Sequence, residues 1–193
     1  MEASSSGQPA CRDCTGFYAL VNYIPDPLGA YLNELRAELV PGCKLRSHVT
    51  LLPPRVLTSP AQVLISELER RIPYLNSFIV TLGEIEIFES TGVIYLGLRN
   101  GQHELEEMHR NLGNGVFTFD EPYAFHPHIT LAQEIPAERL QECLNHAHAR
   151  WSAWTHDHSF PILNLNFVRN VTPTRWDNLS EHVLPPAPLR RTA

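Results

Sequence analysis

The sequence predicts an α+β fold with two pseudo-symmetric lobes, each an antiparallel sheet with flanking helices, around a central cleft. The first observation is a tetrapeptide of His, a β-branched residue, Thr and Leu that occurs twice, at 48–51 and at 128–131. The second observation is the order that follows each copy, which is proline, a helical pattern and two strand patterns. This repetition indicates a duplicated unit, and we expect two half-sites to meet at an internal pseudo-twofold axis.

The first elements are a strand, a helix and a second strand. Residues 16–24 are almost continuously apolar, which is typical of a buried strand. Apolar residues at helical spacing over 27–39 predict a helix with Asp26 as its N-cap. The first tetrapeptide lies on the next strand, which the two prolines at 53–54 are expected to end.

The later elements follow the same reasoning. A helix over 60–72, with Ser59 as its N-cap, precedes a predicted hairpin with strands at 78–88 and 93–98 and a turn at 90–92. The remaining predicted elements are a helix over 103–111 ended by Gly113 or Gly115, a strand over the second tetrapeptide, a helix over 136–149, and strands over 160–168 and 176–184 joined at 172–174.

The two ends of the chain differ in composition from its middle. Residues 1–15 are rich in Ser, Gly, Pro and Cys and are predicted to form a disordered leader, and residues 185–193 are predicted to form a flexible tail. Residues 16–184 are interpreted as a single domain of two lobes. Cys11 and Cys14 have the spacing of zinc and redox sites, but no second pair completes a zinc site and no strand precedes them. We interpret them as an incidental pair and leave their role open.

Composition narrows the class of protein. The chain has 193 residues, of which 43% are hydrophobic and 19% charged, as is ordinary for a globular protein. No apolar run approaches the roughly 20 residues of a membrane span, and no secretory signal is apparent, so we expect a cytoplasmic protein with no membrane partner. Without a coiled-coil pattern, a monomer with no obligatory protein partner is expected. A formal net charge of −6 disfavours a protein that coats long nucleic acid but permits a small anionic ligand held by local donors.

The two tetrapeptides place a histidine and a threonine on the same face of a strand. Because side chains two residues apart point the same way, His48 shares a face with Thr50, and His128 with Thr130. A histidine pair near neutral pH favours the state with one proton. One imidazole then accepts a proton from an attacking group while the other donates to a leaving oxygen, and the threonine hydroxyls donate to phosphate oxygens. This chemistry needs no metal or cofactor.

The fuller motifs are Arg-Ser-His-Val-Thr-Leu at 46–51 and Phe-His-Pro-His-Ile-Thr-Leu at 125–131. This pair resembles the two H-x-[ST]-h motifs (h apolar) of the 2H phosphoesterase superfamily, and within it the bacterial 2′-5′ RNA ligase-like proteins. The resemblance covers 16–184 and implies their duplicated fold, with His48 and His128 as catalytic residues and Thr50 and Thr130 as phosphate-binding residues. It implies a metal-independent enzyme acting on a 2′,3′-cyclic phosphate or a 2′-5′ linkage of RNA or a nucleotide, with ligation as the reverse reaction.

Five further residues are candidates for substrate binding. Arg46 shares the face of the first catalytic histidine and is expected either to hold a phosphate oxygen or to be a solvated strand end. His126 shares the face of the second and is expected to contact substrate or to lie at the rim of the cleft. Tyr123 and Phe125 are candidates for stacking on a nucleobase, the alternative being that one packs under the strand. Arg55 is a candidate anion contact.

Several alternatives stay open on the sequence alone. The chain is interpreted as a phosphoesterase, but a non-catalytic RNA- or nucleotide-binding module on the same scaffold would carry a similar pattern. A third reading is a 2H enzyme that acts on cyclic dinucleotides or another non-RNA phosphodiester. Which histidine is the base depends on the orientation of the substrate. The His-Asp-His segment at 156–158 has spacing compatible with a metal, but without a third ligand nearby an exposed loop is favoured.

Overall fold

The structure is a computed structural model that describes residues 17–172 and 175–188. These residues form strands and α-helices, and two short 3-10 turns, Ile72–Tyr74 and Gly115–Phe117, lie between them. The elements in chain order are β1 (Phe17–Tyr23), α1 (Leu28–Leu39), β2 (His48–Val56), α2 (Ala61–Arg71), β3 (Phe78–Phe88), β4 (Val93–Asn100), α3 (Gln102–Leu112), β5 (Ile129–Ala132), α4 (Ala137–Ser152), β6 (Ser159–Ile162), β7 (Asn164–Thr172) and β8 (Arg175–Val183).

The strands form two four-stranded antiparallel sheets, which confirms the predicted fold class. The first sheet has the order β2-β1-β7-β8 and the second has the order β5-β4-β3-β6. The strand of the first tetrapeptide is an edge of the first sheet, and the strand of the second tetrapeptide is an edge of the second. The units β1-α1-β2 and β4-α3-β5 correspond to each other. From the first half of the chain β3 enters the second sheet, and from the second half β7 enters the first sheet, whereas β6 stays in the sheet of β4 and β5.

One continuous apolar core joins both sheets to the helices. Leu20 and Leu51 from the first sheet, Leu96 and Leu131 from the second, and Leu32 from α1 are all part of it and almost fully buried. Each such side chain stabilises the fold by about 2 kcal/mol relative to an exposed position. The two lobes are therefore held as one body by shared burial, and the edge strands β2 and β5 contact each other.

The expectation that the prolines at 53–54 end the second strand is wrong, because β2 continues to Val56. Tyr18 pairs with Arg55 and Leu20 with Leu52, so Pro53 and Pro54 lie together in a bulge opposite a single residue of β1. Since β2 is an edge strand, a missing N–H at a bulge leaves no ladder bond unsatisfied.

Some predicted helix caps and one strand boundary are also wrong. The N-cap positions of α1 and α2 are Pro27 and Pro60, without a side-chain hydrogen bond, so Asp26 and Ser59 do not cap them. The expected single strand over 160–168 divides at Leu163 into β6, which pairs with β3, and β7, which pairs with β1. The hairpin of β3 and β4 is as predicted, with Gly92 at φ 67° in its turn.

The predicted leader, with Cys11 and Cys14, lies outside the described residues, as do two residues of the turn at 172–174 and the end of the predicted tail. Pro185, in the described part of that tail, accepts a hydrogen bond from the backbone N–H of Ser77 at 2.7 Å. Within 17–172 and 175–188, no helix has the length and apolar character needed to cross a bilayer.

Candidate active site

Both tetrapeptides alternate between the cleft and the core. His48 and Thr50 are half-buried on one face of β2, and His128 and Thr130 are half-buried in the corresponding way at the start of β5. The intervening and following apolar side chains, which turn to the core, are Val49, Leu51, Ile129 and Leu131. Successive side chains of a strand point to opposite faces. Each histidine therefore points to the same side as the threonine two residues later.

Two helices connect the motif strands across the lobes. Arg36 of α1, which belongs to the first unit, donates a hydrogen bond to the carbonyl of Thr130 in the second. His109 of α3, in the second unit, has Nδ1 2.7 Å from the carbonyl of Leu51 in the first. These reciprocal contacts hold the two edge strands side by side, with both histidine faces in one cleft.

The two imidazoles are oriented by the same local hydrogen bond. Nδ1 of His48 lies 2.7 Å from the carbonyl of Arg46, and Nδ1 of His128 lies 2.7 Å from the carbonyl of His126. A carbonyl oxygen only accepts, so Nδ1 carries the hydrogen and Nε2 is the nitrogen that gains and loses a proton. Both rings are thus fixed in the same tautomer by a carbonyl two residues earlier.

Both histidines are held neutral near pH 7 in the absence of an anion. Burial lowers the pKa of His48 to about 4, and the positive charges of Arg36 and of a protonated His128 act in the same direction. Burial also lowers the pKa of His128, and the charge of His126 adds to this. The hydrogen bonds to the backbone carbonyls oppose these shifts. A bound phosphate would raise the pKa of both rings, because a nearby negative charge favours the imidazolium.

Aromatic rings surround the second histidine. The centroid of the His128 ring is 5.1 Å from that of Phe88 and 5.2 Å from that of Tyr95, both steeply inclined to it. Phe88 and Tyr95 stack on each other at 4.1 Å, and His126 lies 5.4 Å from Phe88. The hydroxyl of Tyr95 donates to Glu86 at 3.0 Å, and burial, with Glu86 adding to it, raises the pKa of Tyr95 to about 12. These contacts restrict the rotation of the imidazole.

The first histidine has a different neighbourhood. Tyr23 of β1 is the cross-strand partner of His48, with ring centroids 6.2 Å apart. The guanidinium of Arg46 lies 4.2 Å from the centre of the Tyr23 ring, an arrangement worth roughly 0.5–1 kcal/mol at exposed sites. The structure therefore brings Arg46 to the cleft beside His48, where its guanidinium forms no ion pair with any residue in the described part of the chain.

Arg55 is not brought to the cleft. Its side chain is 1% exposed, donates to the carbonyl of Phe117 at 3.0 Å and forms an ion pair with Glu121. Glu121 also lies 3.5 Å from Nε2 of His109. Arg55 thus anchors the segment after α3 behind β2, and we leave it out of the proposed site.

Neither aromatic candidate is among the described rings that pack against His48 or His128. Phe125 stacks on His109 at 3.8 Å, with nearly parallel rings. Tyr123 is 70% exposed in the segment before β5. Phe125 therefore has a structural partner on the helix that braces β2, and Tyr123 is exposed to solvent.

The described residues contain no group of three or more His, Cys, Asp or Glu side chains arranged to hold a metal. In the 156–158 segment, the His156 ring packs against Trp154 and the His158 ring against Trp151. Asp157 accepts a hydrogen bond from the backbone N–H of Ser159 at 2.8 Å. Each of the three side chains thus has its own partner.

Four contributors to the site were not among the residues that the sequence analysis singled out. Tyr23, Phe88, Tyr95 and Arg36 come from elements whose pairing with the motif strands depends on register across the sheets. The aromatic residues on strands next to the motifs were a possible signal, since an aromatic at a strand end often lies at a cleft. The sequence around His109 gives no sign of its role, because its hydrogen-bond partner is a backbone carbonyl in the other lobe.

Two antiparallel lobes that present paired His-x-Thr strands to a common cleft define a two-histidine phosphoesterase scaffold. The family model of the 2′-5′ RNA ligase superfamily matches residues 24–172, and the chain belongs to this superfamily of 2H phosphoesterases. This membership supports an activity of the phosphoesterase type. No curated protein sequence matches the chain significantly.

Solved structures agree with the fold. Apo LigT of E. coli is 18% identical with a TM-score of 0.60, and LigT complexed with ATP is 19% identical with a TM-score of 0.61. Usb1 of Kluyveromyces marxianus is 16% identical with a TM-score of 0.50. Each alignment covers 88% of this chain and 98% of the other. At these identities the similarity establishes the fold.

Proposed function

We propose that the protein is a metal-independent phosphoesterase that hydrolyses a 2′,3′-cyclic phosphate, or a 2′-5′ phosphodiester, of RNA or a nucleotide. His48 and His128 are the acid–base pair, and Thr50 and Thr130 donate to the phosphate. The observation that carries the proposal is the matched orientation of the two imidazoles, each with Nδ1 bonded to a carbonyl two residues earlier. A structural histidine needs no such repeated arrangement at the edge of each sheet.

The reaction begins when a phosphate anion enters between the motif strands. Its charge raises the pKa of both histidines, and repulsion between two imidazoliums favours the state with one proton. Nε2 of the neutral ring takes a proton from water as the water oxygen bonds to phosphorus. Nε2 of the protonated ring gives its proton to the ribose oxygen as the bond from phosphorus to that oxygen breaks. The threonine hydroxyls and Arg46 are the proposed donors to the non-bridging oxygens.

The direction of attack follows from how the substrate lies, so the proposal assigns neither histidine as the base. The reverse reaction, which seals ends into a 2′-5′ bond, uses the same groups. Hydrolysis is favoured in water because ligation must bring two ends together. Cytoplasmic residence and a monomeric state are part of the same proposal, and size-exclusion chromatography tests the second.

The test is turnover of the four nucleoside 2′,3′-cyclic monophosphates and of a short RNA with a cyclic phosphate end, in EDTA. His48→Ala and His128→Ala are each expected to lower kcat/KM roughly 10²–10⁴-fold without loss of fold. His103→Ala is the matched control, because His103 is exposed on α3 away from the motifs.

Wild-type turnover at the level of either histidine variant would contradict the proposal, and so would loss of activity in EDTA. Binding of RNA without turnover of any cyclic phosphate or 2′-5′ linkage would favour the non-catalytic module. Turnover confined to cyclic dinucleotides would move the substrate to a non-RNA phosphodiester.

A further inference from the structure

A second, smaller apolar cluster lies apart from the main core, on the first sheet. We call it the cleft-face cluster, and its five members are Ala19, Val21, Val168, Tyr23 and Trp176. The first three are at most 4% exposed, whereas the two aromatic residues are half-buried. The residue between Ala19 and Val21, Leu20, belongs to the main core. Since neighbouring side chains on a strand alternate, the cleft-face cluster occupies the opposite face of the sheet.

Strand pairing puts this cluster on the face of the catalytic residues. Val21 is the cross-strand partner of Thr50, and Tyr23 is the partner of His48. On the far side of β1, Ala19 pairs with Val168 of β7. From β7 the same face continues to β8, where Trp176 pairs with Asn170, two residues along from Val168. A row of buried apolar side chains therefore crosses this face of the sheet, with a partly exposed aromatic residue at each end, Tyr23 beside the histidine and Trp176 on β8.

The distance from the first motif to the far aromatic residue exceeds the length of one nucleotide. Trp176 is three strands away from Thr50 and four residues further along them, which places the two Cα atoms about 20 Å apart at about 4.8 Å per strand and 3.3 Å per residue. Stacked nucleotides rise about 3.4 Å each. A ligand that touches both ends must hold several nucleotides.

The two lobes differ in what they offer to such a ligand. On the second sheet, Phe88 and Tyr95 already stack on each other, and the carboxylate of Glu86 lies beside them. That carboxylate repels the phosphodiesters of a continuing chain. On the first sheet, Arg46 supplies a cation above Tyr23, at the end of the row nearest the histidine.

One carboxylate lies on the cleft face of the first sheet. Glu181 pairs with Asn166 and accepts a hydrogen bond from Asn164 at 2.6 Å. It lies level with Thr50, five residues from Trp176 along β8, so the diagonal from Thr50 to Trp176 passes to one side of it. Aromatic faces together with nearby cations are how proteins bind single-stranded bases without reading their sequence.

We propose that the cleft face of the first sheet, between Tyr23 and Trp176, is a binding track for single-stranded RNA, which runs from the reacting phosphate at Thr50 to a nucleobase stacked on Trp176. The natural substrate is then an RNA end of several nucleotides in preference to a mononucleotide. This inference rests on the proposed function for the position of the reacting phosphate. The track itself is a binding site, so binding tests it separately from catalysis.

Binding is measured with RNAs of one, two, four and six nucleotides that end in a 3′-phosphate. These ends carry no cyclic phosphate, so the RNA is not hydrolysed there during the measurement. The wild-type Kd is expected to fall with length, and Trp176→Leu is expected to weaken the six-nucleotide RNA roughly tenfold or more while leaving the mononucleotide unchanged. Trp176→Phe keeps an aromatic face and is expected to retain most of the affinity. Tyr74→Leu is the control, because Tyr74 is 84% exposed beyond α2.

A Kd that does not depend on length, or an equal loss for Trp176→Leu and Trp176→Phe, overturns the track. The same variants are then compared in kcat/KM for a cyclic mononucleotide and a six-nucleotide RNA with a cyclic phosphate end. A selective loss on the longer substrate for Trp176→Leu supports the track and the proposed function together. Length-dependent binding through Trp176 without any turnover supports the track and refutes the proposed function. Turnover that is equal for both lengths refutes the track alone.

Discussion

The change in free energy of unfolding caused by replacing His48 with Asn is expected to be more favourable to the folded state at pH 5 than at pH 7.5. In the folded protein, burial and the charge of Arg36 lower the pKa of His48 to about 4. In the unfolded chain the same ring titrates near 6.5. As the pH falls below 6.5, the unfolded state binds a proton that the folded state does not bind. The folded state therefore loses stability until its own ring also becomes protonated. Asn has no such proton to bind.

The size of this effect follows from the two pKa values. At pH 5 the unfolded ring is almost fully protonated and the folded ring is almost fully neutral, which destabilises the native state by about 2 kcal/mol. At pH 7.5 both rings are neutral, and the contribution is about zero. Any packing loss caused by the substitution is present at both pH values. The change between them therefore isolates the titration of His48.

The assay is urea unfolding of the wild type and of His48→Asn at pH 5 and pH 7.5, in buffers without phosphate. The difference in free energy of unfolding, variant minus wild type, should be more positive at pH 5 by about 2 kcal/mol. His103→Asn, at an exposed position of α3, is the control. If the His48→Asn difference does not change with pH, the conclusion that the folded site disfavours the protonated form of His48 is refuted. Added phosphate should reduce the effect, because the anion raises the pKa of the folded ring.

Three further outcomes are expected. The profile of kcat/KM against pH should be bell-shaped with its maximum below pH 6.5, because the free enzyme must hold one proton on two rings whose pKa values are lowered; a flat profile from pH 5 to 8 would contradict the acid–base pair. Arg46→Ala should raise KM several-fold with little change in stability, and an unchanged KM for an RNA end would exclude this residue as a phosphate contact. Glu121→Gln should lower the free energy of unfolding by about 3 kcal/mol, since it leaves the buried Arg55 guanidinium without its carboxylate; thermal unfolding measures this, and a loss below about 0.5 kcal/mol would show that the backbone carbonyls suffice.

The features that the sequence predicted well are those governed by local alternation. The faces of His48 and Thr50 follow from the period of a strand, and burial at 47–51 has that period in the structure. The helices were recognisable from apolar spacing, and the hairpin from the turn at Gly92. Their bounds shifted by a few residues, because a helix end depends on contacts as well as on its own residues.

The features that could not be predicted depend on pairing between distant segments. Pro53 and Pro54 look like the end of a strand until β2 is known to be an edge with a bulge. Leu163 interrupts an apolar run only because the chain changes sheets there. Arg55 has the charge of an anion contact, but its partners Phe117 and Glu121 are more than sixty residues away in sequence. Long-range contacts of this kind leave no periodic signal.

The exchange of strands between the sheets makes the catalytic cleft a property of the entire chain. Each β-α-β unit contributes one histidine, and each half of the chain also places a strand, β3 or β7, in the sheet that carries the other histidine. A single such unit would have an open sheet edge and half a site, and two copies that exchanged strands would restore both at once. The present chain is equivalent to that pair joined covalently. Two fragments cut in the turn between β3 and β4 would therefore regain activity only by associating, and turnover would report how much of the protein has assembled.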